Sequence, residues 1–286
     1  MSSLDRALMT NIDQFESVFK AADKPVFHHQ EIDLSRRVVV CDATGDAAET
    51  FRARCRRFLP DGDQVEWIVV SGDQFNSIGE LLRLVTVHEP KVILTHRNLH
   101  VPAAEHPYSL GAYLDVLTQA TDYPVLVAPQ NEPDSFKTPT HVMALSDELV
   151  GENRLVSFSA RLTGEGGTLF LSHIEDEAIS KRYIDAIGKI PSNDTDSARD
   201  LILERLLQDS SDYVESCREV LAKQNFVGKI EAVTQTGHRV ELCLQLIEED
   251  AIDLLVLNTK DEEQLAMHGL AYPLAVQLRK IPLLLL

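Results

Sequence analysis

Val92-Ile93-Leu94-Thr95-His96, followed by Gly111 and Pro124-Val125-Leu126-Val127-Ala128, is one copy of a pattern that the chain repeats. The other copy is Leu254-Leu255-Val256-Leu257-Asn258, then Gly269 and Pro282-Leu283-Leu284-Leu285-Leu286. Each copy reads as an apolar strand, a polar loop, a helix opening at glycine, and a proline-led apolar strand. Gly111 precedes Pro124 by 13 residues and Gly269 precedes Pro282 by 13. A fixed internal offset of this kind marks a duplicated unit.

Working outward, the first copy is preceded by two strand–helix pairs. Arg37 to Asp42 is a short β-branched run of the buried-strand type, and a helical pattern follows from Ala47 to Leu59. Pro60-Asp61-Gly62-Asp63 stops that helix. Val65 to Val70 is the next strand and Ile78 to Val87 the next helix. The second copy has three pairs before it. Strands are expected at 142–145, 167–173 and 230–234, with helices at 148–162, 198–224 and 240–249. The long helical region carries Ser210-Ser211, where a break is expected. Strands alternating with helices imply a largely parallel sheet with helices on both faces. The expected fold is therefore α/β, with two doubly wound parallel-sheet domains of which the first is shortened by one strand–helix pair. The boundaries are 1–130 for the first domain, 131–140 for a linker and 141–286 for the second. The linker stretch holds Pro129, Pro133 and Pro139 among polar residues, which bars regular structure. Residues 4–22 carry an additional helical pattern; either this helix fills the space of the missing pair or the pair has been lost.

Composition limits function. The chain has 286 residues, 27 Lys+Arg against 45 Asp+Glu, and a net charge of −18. Nucleic-acid binding needs the opposite charge, so it is excluded as a working reading. No apolar run nears the roughly 20 residues of a membrane helix. The N-terminus lacks a signal-peptide layout, and Cys41, Cys55, Cys217 and Cys243 form no CxxC pair. They read as core residues in a reducing cytoplasm.

The order of these motifs resembles the universal stress protein family in its tandem, two-domain form. The carrying residues are Asp42 after the first strand, Ser71-Gly72-Asp73 and Thr236-Gly237-His238 as glycine-led turns after a third strand, and the two repeated copies. Asp147 stands one residue late in its own unit. The resemblance implies ligand contacts from Asp42, Gly72, Gly111, Asp147, Gly237 and Gly269, and a pairing of last strands across a two-fold.

Many members of that family bind ATP through a glycine-bearing loop after the fourth strand. Backbone N–H groups reach phosphate oxygens only where no Cβ intrudes, and a helix N-terminus adds positive potential. Residues 97–107 contain no glycine and two prolines, and residues 259–268 contain no glycine and three carboxylates. Ala112 and Leu270 stand where the resemblance implies a Ser or Thr. ATP is thus disfavoured as a cofactor, although Arg97 or Lys260 could still attract an anion. His96, His100 and His106 with Glu105 are a candidate metal set, but their spacing matches no standard motif and no metal site is assigned. Gly164-Glu165-Gly166-Gly167-Thr168 precedes a strand, so it reads as a helix stop and tight turn rather than a phosphate cradle. No GxSxG elbow is present, and no catalytic residue is assigned.

The expected function is a non-enzymatic cytoplasmic stress-response protein acting through protein contacts or a small ligand. The alternative is an adenine-nucleotide-binding member with a non-standard phosphate loop. A third reading is a metal- or lipid-binding module using the cleft left by the shortened domain. Homodimerisation is a candidate arrangement, because the apolar last strands must be paired or covered; a tandem chain can also satisfy this internally.

Overall fold

The computed structural model describes residues 24–59, 64–101, 108–129, 136–146, 148–176, 195–259 and 270–286, without the side chains of 175, 176 and 195–207. The first part of the chain forms β1 (Arg36–Val40), α1 (Gly45–Phe58), β2 (Glu66–Val70), α2 (Ile78–His88), β3 (Val92–Thr95), α3 (Ala112–Ala120) and β4 (Val125–Val127). The second forms β5 (His141–Ser146), α4 (Asn153–Leu162), β6 (Thr168–Asp176), α5 (Thr195–Lys223), β7 (Lys229–Gly237), α6 (Arg239–Glu249), β8 (Leu254–Leu257), α7 (Ala271–Gln277) and β9 (Leu283–Leu285). All nine strands lie in one sheet of order β2-β1-β3-β4-β9-β8-β5-β6-β7. Every pairing is parallel except β4 with β9, where Val125, Leu126 and Val127 face Leu285, Leu284 and Leu283. The sheet is therefore α/β and mostly parallel, with two parallel halves running against each other at a central seam.

The strands are buried on both sides, which explains why they read as continuous apolar runs rather than alternating ones. Val39, Cys41, Leu94, Ala144, Leu171 and Val256 point to a face covered by α1, α4 and α5. Val38, Val40, Ile93, Met143, Leu145 and Leu255 point to the other face, under α2, α3, α6 and α7. Both cores continue across the seam. The four cysteines sit in them unpaired. Burial pushes the Cys41 thiol up to about 11 and the Cys217 and Cys243 thiols to about 12.

Local signals place the helix ends. Ser77 caps α2, its hydroxyl accepting from the Glu80 amide at 3.3 Å, while the Glu80 carboxylate accepts from the Asn76 amide at 2.7 Å. The glycine run before β6 is a tight turn as expected. Gly166 has φ +72°, the Gly167 amide donates to Gly164 O at 2.9 Å, and a Cβ on Gly167 would lie 2.6 Å from Thr140 O.

The structure refines several expectations. Among the described residues the first half has four strands against five, but β2 pairs directly with β1. It takes the position that β6, not β7, holds in the second half. Gly72 and Gly237 therefore do not follow equivalent strands, and the missing strand is the outer one. Helix α5 continues through Ser210, which is buried; a hydroxyl turned into helix packing does not break it. Helix α4 starts at Asn153 rather than 148. The expected N-terminal helix at 4–22 lies outside the described residues, and so does linker stretch 130–135. The last part of the linker is packed: Phe136 stacks on Phe58 at 4.7 Å.

Residues 24–34 form an extended strap that leaves β1 and crosses to the other half. The Phe27 amide donates to Ser216 Oγ at 3.0 Å, the His28 amide to Asn153 Oδ1 at 2.8 Å and the Gln30 amide to Ser157 Oγ at 3.0 Å. Phe27 is fully buried against Tyr213. Among the described residues no helix is long and apolar enough to cross a membrane.

Candidate functional site

Ligands of open α/β sheets bind outside the carboxyl ends of the strands. In the first half that position lies above β1 and β3, and Asp42 stands there at the end of β1. Its carboxylate is engaged by the loop that leaves β3. His96 Nε2 lies 3.1 Å from Asp42 Oδ1, and the His100 amide donates to Oδ2 at 3.3 Å. The hydrogen bond from His96 holds the Asp42 carboxyl below its ordinary value, against a partial burial that raises it.

This loop is shaped by two left-handed residues, Asn98 at φ +57° and His100 at φ +59°. Asparagine and histidine tolerate that region better than most side chains. The Asn98 amide donates to Leu110 O at 2.9 Å. His100 then enters a ring cluster with Phe75 at 4.7 Å and Tyr113 at 5.4 Å, and His96 meets Phe51 edge-on at 5.3 Å. Aromatic packing thus clamps the loop over the strand ends.

The two glycines of this half are explained by close backbone approach. A Cβ on Gly72 would lie 2.0 Å from the Asp42 carbonyl oxygen. Gly111 has φ +93°, and its Cβ would lie 2.8 Å from Asn98 Cα. Gly72 is therefore packed against Asp42, and Gly111 against the loop that engages Asp42. Gly237 is not with them: it ends β7 at the opposite edge of the sheet, and a Cβ there would make only ordinary contact with Leu242. Asp147 and Gly269 lie outside the described residues, as do Lys260, Glu105 and His106.

Arg97 differs most from its expected role. It is 4% exposed and reaches across the seam. Its guanidinium donates to the carbonyls of Ala275 and of Leu278, the latter at 2.6 Å. These close the C-terminal end of α7, where carbonyls lack helical partners. Burial lowers its pKa to about 10, with a smaller contribution from Arg279. It is a tie between the halves, not a surface cation for an anion.

The second half repeats the device with residues that the sequence reading missed. Asn258 follows β8 as His96 follows β3. Its Nδ2 donates to Glu152 Oε2 at 2.7 Å, and Ser146 Oγ donates to Glu152 Oε1 at 3.3 Å. Thr259 follows as Arg97 does, its hydroxyl donating to Leu286 O at 2.8 Å. The available signal was positional: the first residue after each repeated strand carries a side chain able to donate to a carboxylate.

The described loop residues contain no glycine, the His100 amide already donates to Asp42, and the Arg97 guanidinium is spent on carbonyls. Among the described residues no group of three or more His, Cys, Asp or Glu converges on a metal geometry. A separate cavity of about 630 Å³ lies at the amino ends of the strands, lined by Asp33, Arg37, Phe58, Thr138, Arg161 and Glu165 among others. Arg37 there is committed to Leu34 O at 2.9 Å and to the face of Trp67 at 4.9 Å.

No protein-family model matches the chain, and no curated protein matches its sequence. Among solved structures it is similar to a universal stress protein from Archaeoglobus fulgidus DSM 4304, at 9% identity and TM-score 0.49, over 89% of this chain and 96% of that one. It is similar to a putative universal stress protein from Pseudomonas aeruginosa UCBPP-PA14, at 15% identity and TM-score 0.48, over 87% and 81%. A functionally unknown protein from Pseudomonas aeruginosa PAO1 gives 15% identity and TM-score 0.47 over the same shares. The chain is similar in structure to proteins described as universal stress proteins, one archaeal and one, given as putative, bacterial.

Proposed function

We propose that this chain is a tandem protein of universal stress type in which the phosphate loop of the first unit has become a self-closed loop. It acts by contact with other proteins or a small ligand, not by catalysis, and works in the cytoplasm, where unpaired buried thiols are stable. One observation carries this reading: Asp42, at the position where a ligand would be met, is bonded to His96 and to the His100 amide. A nucleotide would have to break both contacts and lift a loop held by aromatic packing. A feature favouring the alternative, adenine-nucleotide binding by a non-standard loop, is the convergence of Asp42, Gly72 and Gly111 above β1 and β3.

Titration calorimetry and thermal melting with Mg-ATP and Mg-ADP separate the two. The expected result is no heat of binding and no change in Tm at millimolar nucleotide. A ligand that binds only the folded state at 100 times its Kd adds about 2.7 kcal/mol of stability. A rise of several degrees would therefore overturn the self-closed reading.

A further inference from the structure

The cavity at the amino ends of the strands, about 630 Å³, falls in the range of about 300–1,000 Å³ that small-molecule sites occupy. It lies between the two halves. One side is the last part of the strap and the end of α1, and the other is the end of α4 with the turn before β6. Its apolar lining includes Leu34, Phe58, Leu59 and Leu162, all buried. The sides are held by contacts that need no ligand. Arg37 ties the strap to the end of α1 through the carbonyls of Leu34 and Leu59. Thr138 Oγ1 donates to Arg57 O at 3.2 Å, and the Gly164 amide donates to Pro139 O at 2.8 Å. A cavity formed in advance lowers the ordering cost of binding.

Most of its polar lining is already in use. Thr163 Oγ1 donates to Ser159 O at 2.8 Å. The Asp33 carboxylate accepts from the Ser35 amide at 2.9 Å and lies 3.5 Å from Lys91 Nζ. Three charged groups differ. Glu31, Arg161 and Glu165 line the same cavity and are exposed, and among the described residues no hydrogen bond or ion pair holds their charged ends. Arg161 precedes Glu165 by four residues, a spacing that pairs charges on a helix. Here α4 ends at Leu162, so the chain turns away and that pair is not made.

We infer that this cavity binds a small zwitterion with an apolar body, of the class of an α-amino acid or a short peptide. The planar Arg161 guanidinium takes the carboxylate, a partner it can hold with two parallel bonds. Glu31 and Glu165 take the ammonium group, and the apolar body lies on Leu34, Phe58 and Leu162. The signs of the charges select the class. A plain carboxylate would meet two carboxylates, and a plain amine would leave Arg161 unused; a ligand carrying both charges answers all three groups. The cavity is at the opposite ends of the strands from Asp42, so the inference does not rest on the reading of the loop after β3, and nucleotide titrations leave it untouched.

The test is titration calorimetry of the full chain with L-leucine, L-phenylalanine and the dipeptide leucyl-phenylalanine. At least one is expected to give a saturable heat at millimolar concentration. The same compound without its ammonium group, or without its carboxylate, is expected to bind about fivefold more weakly, the factor that one partly exposed ion pair supplies. Arg161→Gln should weaken the zwitterion by a similar factor and leave the amine-only analogue unchanged. The double variant Glu31→Gln with Glu165→Gln should do the converse with the carboxylate-only analogue. These side chains are exposed, so the variants are expected to keep the wild-type circular dichroism spectrum and Tm. No saturable heat from any of the three compounds up to about 10 mM, well beyond a millimolar Kd, overturns the inference. An amine-only analogue that binds as tightly as the zwitterion overturns it as well. Unchanged binding in R161Q overturns it by placing the ligand elsewhere.

Discussion

Replacing Arg97 by lysine is the most informative perturbation, because it keeps the charge and removes only the fork. Arg97 spans from the loop after β3 to the end of α7, donating to the carbonyls of Ala275 and Leu278. The lowering of its pKa from 12.5 to about 10 corresponds to a burial cost of about 3 kcal/mol for the charged form. Two charge-assisted bonds offset that cost. A lysine ammonium is a compact donor that cannot hold both carbonyls in the same geometry, and it is more strongly hydrated than guanidinium. One bond is lost, worth about 1.5–3 kcal/mol, while the burial cost remains. R97K is therefore expected to lower unfolding free energy by about 2 kcal/mol. Urea denaturation followed by the fluorescence of Trp67, the sole tryptophan, measures it, with far-ultraviolet circular dichroism as a second probe. The two probes are expected to separate in R97K, because Trp67 reports the first half and most of the described helix lies in the second. An R97K protein within about 0.5 kcal/mol of wild type, with coincident probes, would refute the claim that Arg97 ties the halves together.

Gly72→Ala is expected to cost about 3 kcal/mol or more, since its Cβ would lie 2.0 Å from Asp42 O. Gly45→Ala, with φ +52° and open space around it, is expected to cost about 1 kcal/mol, and thermal melts compare the two. The depressed Asp42 pKa makes its pair with His96 a source of stability above the unfolded value of about 3.9, lost as pH falls through the folded value. The carboxyl is partly exposed, so the effect stays within about 1 kcal/mol; Asp42→Asn should flatten the urea midpoint between about pH 5 and 2. Phe27→Ala empties a buried site against Tyr213 at a cost of about 3 kcal/mol. Amide exchange should then show the strap at 24–34 opening before the sheet does.

Much of the fold was legible because buried parallel strands advertise themselves. Val38-Val39-Val40, Val92-Ile93-Leu94 and Leu254-Leu255-Val256 are apolar on both faces, and the glycine–proline offset exposed the repeat. The absence of one strand–helix pair was also readable, by length. Which strand was missing was not, since the glycine after β2 resembles the one after β7, and only pairing separates a central neighbour from an edge. The positions of Asp42, Gly72 and Gly111 were readable because strand ends and helix starts have fixed places in such sheets. Arg97 was misjudged because its partners are carbonyls 178 and 181 residues away. Glu152 and Asn258 were missed for a like reason: their bond spans 106 residues, and no local pattern announces it. The strap was unreadable because an extended segment held by Ser216, Asn153 and Ser157 has no periodicity.

The place of β9 bears on how the polypeptide is made. It is the last strand along the chain, yet it sits fifth in the sheet, between β4 and β8. During synthesis the first half can assemble while β4 still presents an uncovered apolar rim, and that rim is closed only after β9 has left the ribosome. A nascent chain thus carries a sticky, half-finished sheet for the time needed to translate the roughly 150 codons between Val127 and Leu283, about 8–30 s at 5–20 residues per second. Premature termination anywhere in that interval would release a product with an open strand edge. Closure of the sheet in the nascent chain therefore waits on the three residues of β9, out of proportion to their number.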